Sequence, residues 1–273
     1  GHAFVKECEV EIGGQRIDRH YSQWLDVWNE LTDHDESEWI GLNKHASKSA
    51  YMKSDGLNGT TRTERLYIPL QFWFCRNPGL ALPLIALQYH EVKVKLTTRA
   101  MNALVVGDFT GGVGNVKPTS VDLWADYIYL DTDERRRFAQ VSHEYLIEQL
   151  QYQTLSGGDD AGSSDLNFNH PVKELIWVDD SGGFNNGAGL LEADNGDGTL
   201  SAIATAGAAT YQLKLNGHDR FAARDVSYFT RTQVYEHHSG CGGLNSATKG
   251  AGQLNIDAIA VYSFALKPEE HQP

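Results

Sequence analysis

The sequence has few cysteines, which argues against a fold held together by disulfide bonds. Its 273 residues include three, Cys8, Cys75 and Cys241. An odd and sparse set of cysteines does not provide a disulfide framework. Cys8 and Cys75 lie in strand-like runs, where cysteine behaves as a small core residue. We therefore expect a reducing compartment.

Long apolar runs are also absent. No stretch approaches the roughly 20 apolar residues that a membrane-spanning helix requires. The first residues carry charges at Lys6, Glu7 and Glu9, where a secretory signal peptide needs an apolar segment. The sequence therefore predicts neither a transmembrane segment nor a secretory leader.

Basic residues are outnumbered by acidic residues. The chain has 23 Lys and Arg against 36 Asp and Glu, and its formal net charge is -13. Binding to nucleic acid depends on clustered Lys and Arg that neutralise phosphates. The three arginines at 135–137 directly follow an acidic segment, so we interpret them as a salt-bridged helix face. We predict no direct contact with nucleic acid.

Motifs of the common enzyme classes are missing as well. Neither His90 nor His143, each followed by a glutamate, has a second histidine at the metalloprotease spacing. The glycine-rich residues 111–114 lack the lysine of a phosphate-binding loop. The acidic turn at 194–198 lacks the twelfth-position glutamate of a calcium loop. The sequence predicts no catalytic residue and no cofactor.

Two short motifs have both a functional and a structural interpretation. His237, His238 and Cys241 are metal-ligating residue types, but a fourth ligand is missing, so we interpret them as a surface loop and predict no metal. Asn58-Gly59-Thr60 matches the N-glycosylation acceptor pattern. Without a secretory signal a turn is the preferred interpretation, and Asn58 is kept as a candidate glycosylation site.

What the sequence does contain is the alternation of apolar and polar residues that is typical of half-buried β-strands. It is clearest at 65–96, where we predict two strands joined by a type II turn at Asn77-Pro78-Gly79. The predicted inward-facing residues are Leu66, Ile68, Leu70, Phe72 and Phe74 in the first strand and Val92, Val94 and Leu96 in the second.

Turn and cap signals define further elements. Gly13-Gly14 and Asn216-Gly217 predict β-hairpins, because both pairs accept positive φ. Apolar spacing after Ser22 predicts a helix, and Asp131 with Glu134 predicts the start of another. Other strand-like segments lie at 4–12, 15–21, 121–129, 172–178, 211–215 and 256–266, residues 222–235 resemble a short helix, and residues 141–152 fit either type.

These elements predict an all-β protein with long loops and one connector helix. Such a set is typical of a jelly-roll β-sandwich, and the length favours two domains. Long loops on a sandwich without a titratable cluster favour a structural or binding role. The alternative is a carbohydrate-binding or hydrolytic β-sandwich with His237 and His238 in its site.

Several segments resemble the major capsid protein of nucleocytoplasmic large DNA viruses. They are IGGQRIDRHY with the following WLDVWNEL, RLYIPLQFWFCRNPGLALPLIALQYHEVKV, ADYIYLDTDERRRFAQVSHEYLIEQLQ, LNGHDRF and VYSFALKPEEHQP. They occur in the family's order along most of the chain, and the likeness is weakest in the loops at 32–63, 156–169 and 180–209.

The resemblance implies a double jelly roll, in which two β-sandwiches follow each other. Residues 1–130 would form the later part of the first jelly roll, 131–140 the connector helix, and 141–273 the second jelly roll, incomplete at its C-terminus. The family carries further strands before the position of Gly1 and after that of Pro273. We therefore expect that the first and last strands are missing from this chain.

The resemblance also implies a structural, non-enzymatic function. Three chains would form a pseudo-hexagonal capsomer, and capsomers would tile an icosahedral shell in the virion. Expected partners are further copies and minor capsid proteins, with assembly in the host cytoplasm. We expect the loops at 156–169 and 180–198 to face outward and residues 131–137 to pack between the sandwiches.

Overall fold

The structure is a computed structural model that describes residues 1–32, 67–100, 120–155, 162–178, 210–240 and 259–271. Asn58, Cys241, the loops at 111–114 and 180–198 and the turn at 194–198 lie outside these residues. The elements are β1 (Val5–Ile12), β2 (Gln15–Tyr21), α1 (Ser22–Thr32), α2 (Trp73–Arg76), β3 (Val92–Thr98), α3 (Thr132–Gln140), β4 (Glu174–Val178), β5 (Thr210–Tyr211), β6 (Lys214–Leu215), β7 (His218–Asp219), β8 (Arg224–Asp225), α4 (Gln233–His237) and β9 (Ile259–Ser263).

The N-terminal part forms an antiparallel sheet in the order β2-β1-β3. Gly13 and Gly14 have φ of 60° and 83°, so the predicted hairpin is confirmed. Cys8 is buried in β1 as predicted. Leu96 was expected to face inward, but its side chain is exposed because β3 lies at the edge of this sheet.

The strand predicted at 66–74 is wrong where the structure describes it. Residues 67–72 belong to no helix or strand, and α2 follows. Phe72 and Trp73 are both buried, and consecutive side chains on one side of the chain are incompatible with strand alternation. Cys75, expected in the core, is exposed on α2.

The type II turn predicted at Asn77-Pro78-Gly79 is also wrong. Gly79 does not have the positive φ that such a turn requires. Instead the side chain of Asn77 accepts a hydrogen bond of 2.8 Å from the backbone N–H of Gly79 and caps a short 3-10 helix at Pro78–Leu80.

In the C-terminal part, β4 pairs with β9 in antiparallel register. β9 is buried on both faces, because Ile259, Ala260 and Val261 are all fully covered. Of the strand predicted at 256–266, residues 256–258 lie outside the described residues; the rest is confirmed over β9, whereas Phe264 and Leu266 lie beyond β9 and are exposed.

Asn216 and Gly217 have φ of 52° and 80° and connect β6 to β7, which confirms the second predicted hairpin. The helix predicted at 222–235 is confirmed in part. Its first residues include β8, and a π-helical turn at Tyr228–Thr232 continues directly into α4.

α3 begins as predicted, with the side chain of Asp131 accepting a hydrogen bond of 2.8 Å from the backbone N–H of Glu134. Arg136 pairs with Asp133 at 3.7 Å, in line with the salt-bridged face. None of its residues is buried, so the expected packing between two sandwiches is not observed. The polar sequence TDERRRFAQ gives the helix little apolar surface to bury.

Residues 121–129 and 141–152 also differ from expectation, since neither segment contains a helix or a strand. In the first of them Trp124 and Tyr129 are 84% and 93% exposed. Alternation identifies residues suited to a strand, but a strand forms only where a neighbour supplies the ladder hydrogen bonds.

Helix α1 contributes to both apolar clusters of the described residues. Leu25 belongs to the first cluster, and Val27 and Leu31 to the second, because residues four positions apart share a helix face. The buried members of the first cluster are Val5, Cys8, Val10, Leu25, Phe72 and Trp73. Those of the second are Val27, Leu31, Val234, Ile259 and Val261.

Candidate functional site

The imidazole of His238 is enclosed between two carboxylates at the end of α4. Its side chain is 0% exposed. The Nδ1 atom lies 3.0 Å from Oε1 of Glu269, and Nε2 lies 3.0 Å from Oε2 of Glu174. A neutral imidazole has one N–H group and donates one hydrogen bond. Carboxylates at both nitrogens therefore match the doubly protonated imidazolium.

The surroundings favour the charged forms of this pair. Burial alone would lower the pKa of His238, but the hydrogen bonds to Glu174 and Glu269 outweigh it and raise that pKa to about 9. Burial alone would raise the pKa of Glu269, and the hydrogen bonds from His238 and Ser239 reverse this and lower it. At neutral pH the imidazole is a cation and Glu269 is an anion.

Three separate elements place these groups. Glu174 is the first residue of β4, where it pairs with Ser263 of β9. His238 follows α4 with extended backbone, φ -113° and ψ 157°. Glu269 lies after β9, and its carboxylate accepts hydrogen bonds from N of Ser239 at 2.7 Å and from Oγ of Ser239 at 2.5 Å. We call Glu174, His238, Ser239 and Glu269 the histidine clamp.

The residues beside the clamp connect it to α1 and to the C-terminal segment. The backbone N–H of Gly240 donates to the carbonyl of Leu31 at 2.7 Å. The Nδ1 atom of His237 lies 2.9 Å from the carbonyl oxygen of Leu266. The clamp therefore joins β4, the end of α4, the end of α1 and the segment after β9.

A chain of ion pairs runs next to the clamp. Arg76 of α2 pairs with Glu148 at 2.7 Å, and Glu148 also pairs with Lys173. The ammonium of Lys173 donates to the carbonyl of Glu270 at 2.8 Å. The guanidinium of Arg76 lies 4.7 Å from the ring centroid of Trp28. These contacts connect α1 and α2 to the chain that flanks β4 and β9.

A cleft of about 310 Å³ lies between these elements. Arg76 and Glu148 form part of its wall, and Glu269 links it to the clamp. Each charged side chain in its wall has a partner: Arg76 pairs with Glu148, Glu269 with His238, and Glu270 with Lys267. Its lining residues are Trp73, Arg76, Asn77, Pro78, Leu80, Glu148, Glu269, Glu270 and His271.

A second histidine–carboxylate pair lies in β2. The Nε2 atom of His20 is 2.9 Å from Oδ2 of Asp18, and both side chains are buried. The ring of His20 stacks on Phe72 with centroids 4.2 Å apart. Oδ1 of Asp18 accepts a hydrogen bond of 3.1 Å from the backbone N–H of Leu150. This pair also fixes chain segments that are distant in sequence.

The clamp is not arranged for acyl transfer or for metal binding. Both ring nitrogens of His238 are occupied, and the hydroxyl of Ser239 donates to Glu269 rather than to the imidazole. No group of three or more metal-ligating side chains occurs in the part of the chain that the structure describes. The hydrolytic alternative therefore has no support from this site.

The interpretation of residues 237–241 as a surface loop was wrong for His237, which ends α4, and for His238, whose side chain is buried. The local sequence gave no sign of its burial, because Glu269 and Glu174 are 31 and 64 residues away along the chain. Sequence reasoning missed both glutamates and Ser239. The available signal was that Glu269 lies in VYSFALKPEEHQP, one of the segments that carry the family resemblance.

The described residues contain no helix that combines the length and the apolar character needed to cross a bilayer.

The described sheets pack on apolar clusters, and the buried charged groups of the clamp pair with one another. Both features are typical of a structural β protein. Comparison with known proteins identifies the family. Residues 1–131 match the family described as Major capsid protein N-terminus, and residues 134–273 match the family described as Large eukaryotic DNA virus major capsid protein. The chain belongs to the major capsid proteins of large eukaryotic DNA viruses.

Individual relatives agree with this assignment. The major capsid protein of Pyramimonas orientalis virus is 48% identical over 287 residues, which cover 100% of this chain and 65% of the relative. The major capsid protein of Phaeocystis pouchetii virus is 34% identical over 386 residues, which cover 100% of this chain and 71% of the relative. The chain thus spans about two thirds of the length of these relatives.

A solved structure shares the fold. A quasi-atomic model of the PBCV-1 virus capsid superposes with a TM-score of 0.73 and 32% sequence identity, covering 100% of this chain and 67% of that chain. The predicted fold class, an all-β jelly-roll capsid fold, is confirmed by this likeness.

Proposed function

We propose that this protein is a structural building block of a virus capsid and that its function is assembly with further copies of itself. The observation that carries the proposal is the match along the whole chain, 48% identical to a major capsid protein and superposable on a capsid structure with a TM-score of 0.73. No catalytic residue is assigned.

The proposal includes two tandem jelly rolls at 1–130 and 141–273, joined by a connector at 131–140. Two observations support this division. The two family matches meet between residues 131 and 134. Helix α3 begins at the same place, capped by Asp131.

The expected assembly is a homotrimer that forms a pseudo-hexagonal capsomer and contacts neighbouring capsomers and minor capsid proteins in the virion. Assembly would take place in the host cytoplasm. The exposed aromatic side chains Trp124, Tyr127 and Tyr129 support a role in association, because aromatic residues are enriched in protein interfaces.

Multi-angle light scattering of the full-length protein tests the proposal. We expect a species with the mass of three chains, and electron microscopy of that species should show a six-sided outline. A dilution series serves as the control, because a specific trimer dissociates reversibly as concentration falls. A protein that remains monomeric at every concentration would contradict the proposed assembly.

A further inference from the structure

We propose that the proton on His238 holds the histidine clamp closed and that its loss releases the segment after β9 from the ends of α4 and α1. The inference rests on the clamp's geometry and is independent of the proposed capsid function.

The first argument is that the observed geometry needs the proton. Oxygens of Glu174 and Glu269 lie 3.0 Å from the two ring nitrogens of His238. Without the second ring proton, one nitrogen lone pair would face a carboxylate oxygen with no hydrogen between them. The side chain is 0% exposed, so water has no access to replace the lost hydrogen bond without a rearrangement.

The second argument is the charge balance around the ring. Glu174 of β4 and Glu269 of the C-terminal segment are the anions that face it. The neighbouring charged and titratable groups have partners elsewhere: His237 lies 4.0 Å from Glu236, Lys267 lies 3.5 Å from Glu270, and Lys173 pairs with Glu148. Loss of the imidazolium charge would leave two close carboxylates without a cation between them, which favours separation.

The third argument is the set of contacts that the clamp supports. Glu269 accepts two hydrogen bonds from Ser239, and the next residue, Gly240, donates to the carbonyl of Leu31. If Glu269 moves away, the backbone N–H and the hydroxyl of Ser239 both lose their hydrogen bonds to its carboxylate. Loss of the proton would then affect the end of α1, where Leu31 belongs to the second apolar cluster. Through Leu25 the same helix also belongs to the first cluster.

The direction of the pH dependence follows from the two pKa shifts. The pKa of His238 is raised from 6.5 to about 9, so its contribution to stability is full below pH 6.5 and is lost as pH rises through about 9. The pKa of Glu269 is lowered from 4.5, so its contribution is present above pH 4.5 and is lost as pH falls below that value. The clamp is therefore closed at neutral pH and opens in alkaline solution.

The test is an NMR titration of the His238 ring in the full chain, with Glu269→Gln as the variant and Glu270→Gln as its matched control. Glu270 is adjacent in sequence, but its carboxylate is 65% exposed and pairs with Lys267. We expect the ring of the wild-type protein to titrate near pH 9. In the Glu269→Gln protein it should titrate closer to pH 6.5, and Glu270→Gln should leave it unchanged.

Hydrogen exchange provides the readout for release. The amide protection of Ser239 and Gly240 should fall in the same pH range in which His238 loses its proton. A wild-type ring that titrates near pH 6.5 would overturn the proposal, as would equal effects of the two variants. Amide protection that is retained after the ring has lost its proton would show that the clamp stays closed without that proton, and it would also overturn the proposal. The titration and exchange of the wild-type protein require no variant to fold.

Discussion

At the residue scale, Gly13 shows how a single position restricts the choice of side chain. Its φ is 60°, and a Cβ atom there would lie 2.7 Å from Nδ1 of His90. Gly14 has φ of 83°, but a Cβ atom at that position would meet nothing within 4 Å. Both glycines are needed for the turn, and Gly13 is also needed for the close approach of His90.

We therefore predict that Gly13→Ala destabilises the protein more than Gly14→Ala. Positive φ costs an alanine about 1–2 kcal/mol at either position. At Gly13 the contact with His90 adds to this cost unless the ring moves. Urea unfolding of both variants at one pH measures the difference in the free energy of unfolding.

The double variant Gly13→Ala/His90→Ala is the control for this contact. Relative to His90→Ala alone, the double variant should lose no more free energy of unfolding than Gly14→Ala loses relative to the wild-type protein. If Gly13→Ala and Gly14→Ala lowered the free energy of unfolding equally, the ring of His90 would have moved aside without cost.

Contacts between residues close in sequence were predictable, and contacts between distant residues were not. The pairs Gly13-Gly14 and Asn216-Gly217 and the cap of Asp131 on Glu134 were predicted correctly, because each depends on residues within three positions. His238 was not, because both of its partners are brought to it by the fold. A local pattern carries no information on such partners.

At the element scale, α1 connects the two apolar clusters. The helix was predictable, since Trp24, Leu25, Trp28 and Leu31 recur at helical spacing. That the helix packs on two apolar clusters was not predictable from this spacing. The same spacing would suit a helix packed on one surface, and only the fold shows that Val27 and Leu31 contact Val234, Ile259 and Val261.

We predict that Leu31→Ala destabilises both parts of the protein together. Leu31 is fully buried, and removing such a side chain costs about 2–5 kcal/mol. Because α1 also belongs to the first cluster, amide protection measured by hydrogen exchange should fall in both β1 and β9.

Leu146→Ala is the matched control, because Leu146 is 65% exposed. Its effect should stay within about 0.5 kcal/mol. If Leu31→Ala lowered protection in β9 and left β1 unchanged, the two parts would unfold independently and α1 would not couple them.

The errors among the predicted elements have a common physical cause. Alternation at 67–74 and 121–129 reports apolar composition, whereas a strand also needs a neighbouring strand in register. Residues 67–72 instead lead into α2, where the consecutive side chains Phe72 and Trp73 both become buried. Where the partner was close in sequence, as in β1 with β2, the strands were predicted correctly.

At the scale of the whole molecule, family membership was predictable because it depends on several segments in one order. RLYIPLQFWFCRNPGLALPLIALQYHEVKV contains an incorrectly predicted strand and an incorrectly predicted turn, and it still indicated the correct family. The likeness to known sequences tolerates errors in local structure. The charge balance, in contrast, follows from composition alone and bears on association.

The formal net charge of -13 leads to a prediction about the proposed assembly. Copies of the chain repel one another, and salt reduces this repulsion because the screening length falls from about 30 Å at 0.01 M to about 8 Å at 0.15 M. We expect the trimer's association constant, measured by sedimentation equilibrium at fixed pH, to rise over this range. NaCl and KCl should act equally, since the effect depends on ionic strength. Association that weakens with salt would mean that attraction between oppositely charged patches exceeds the overall repulsion.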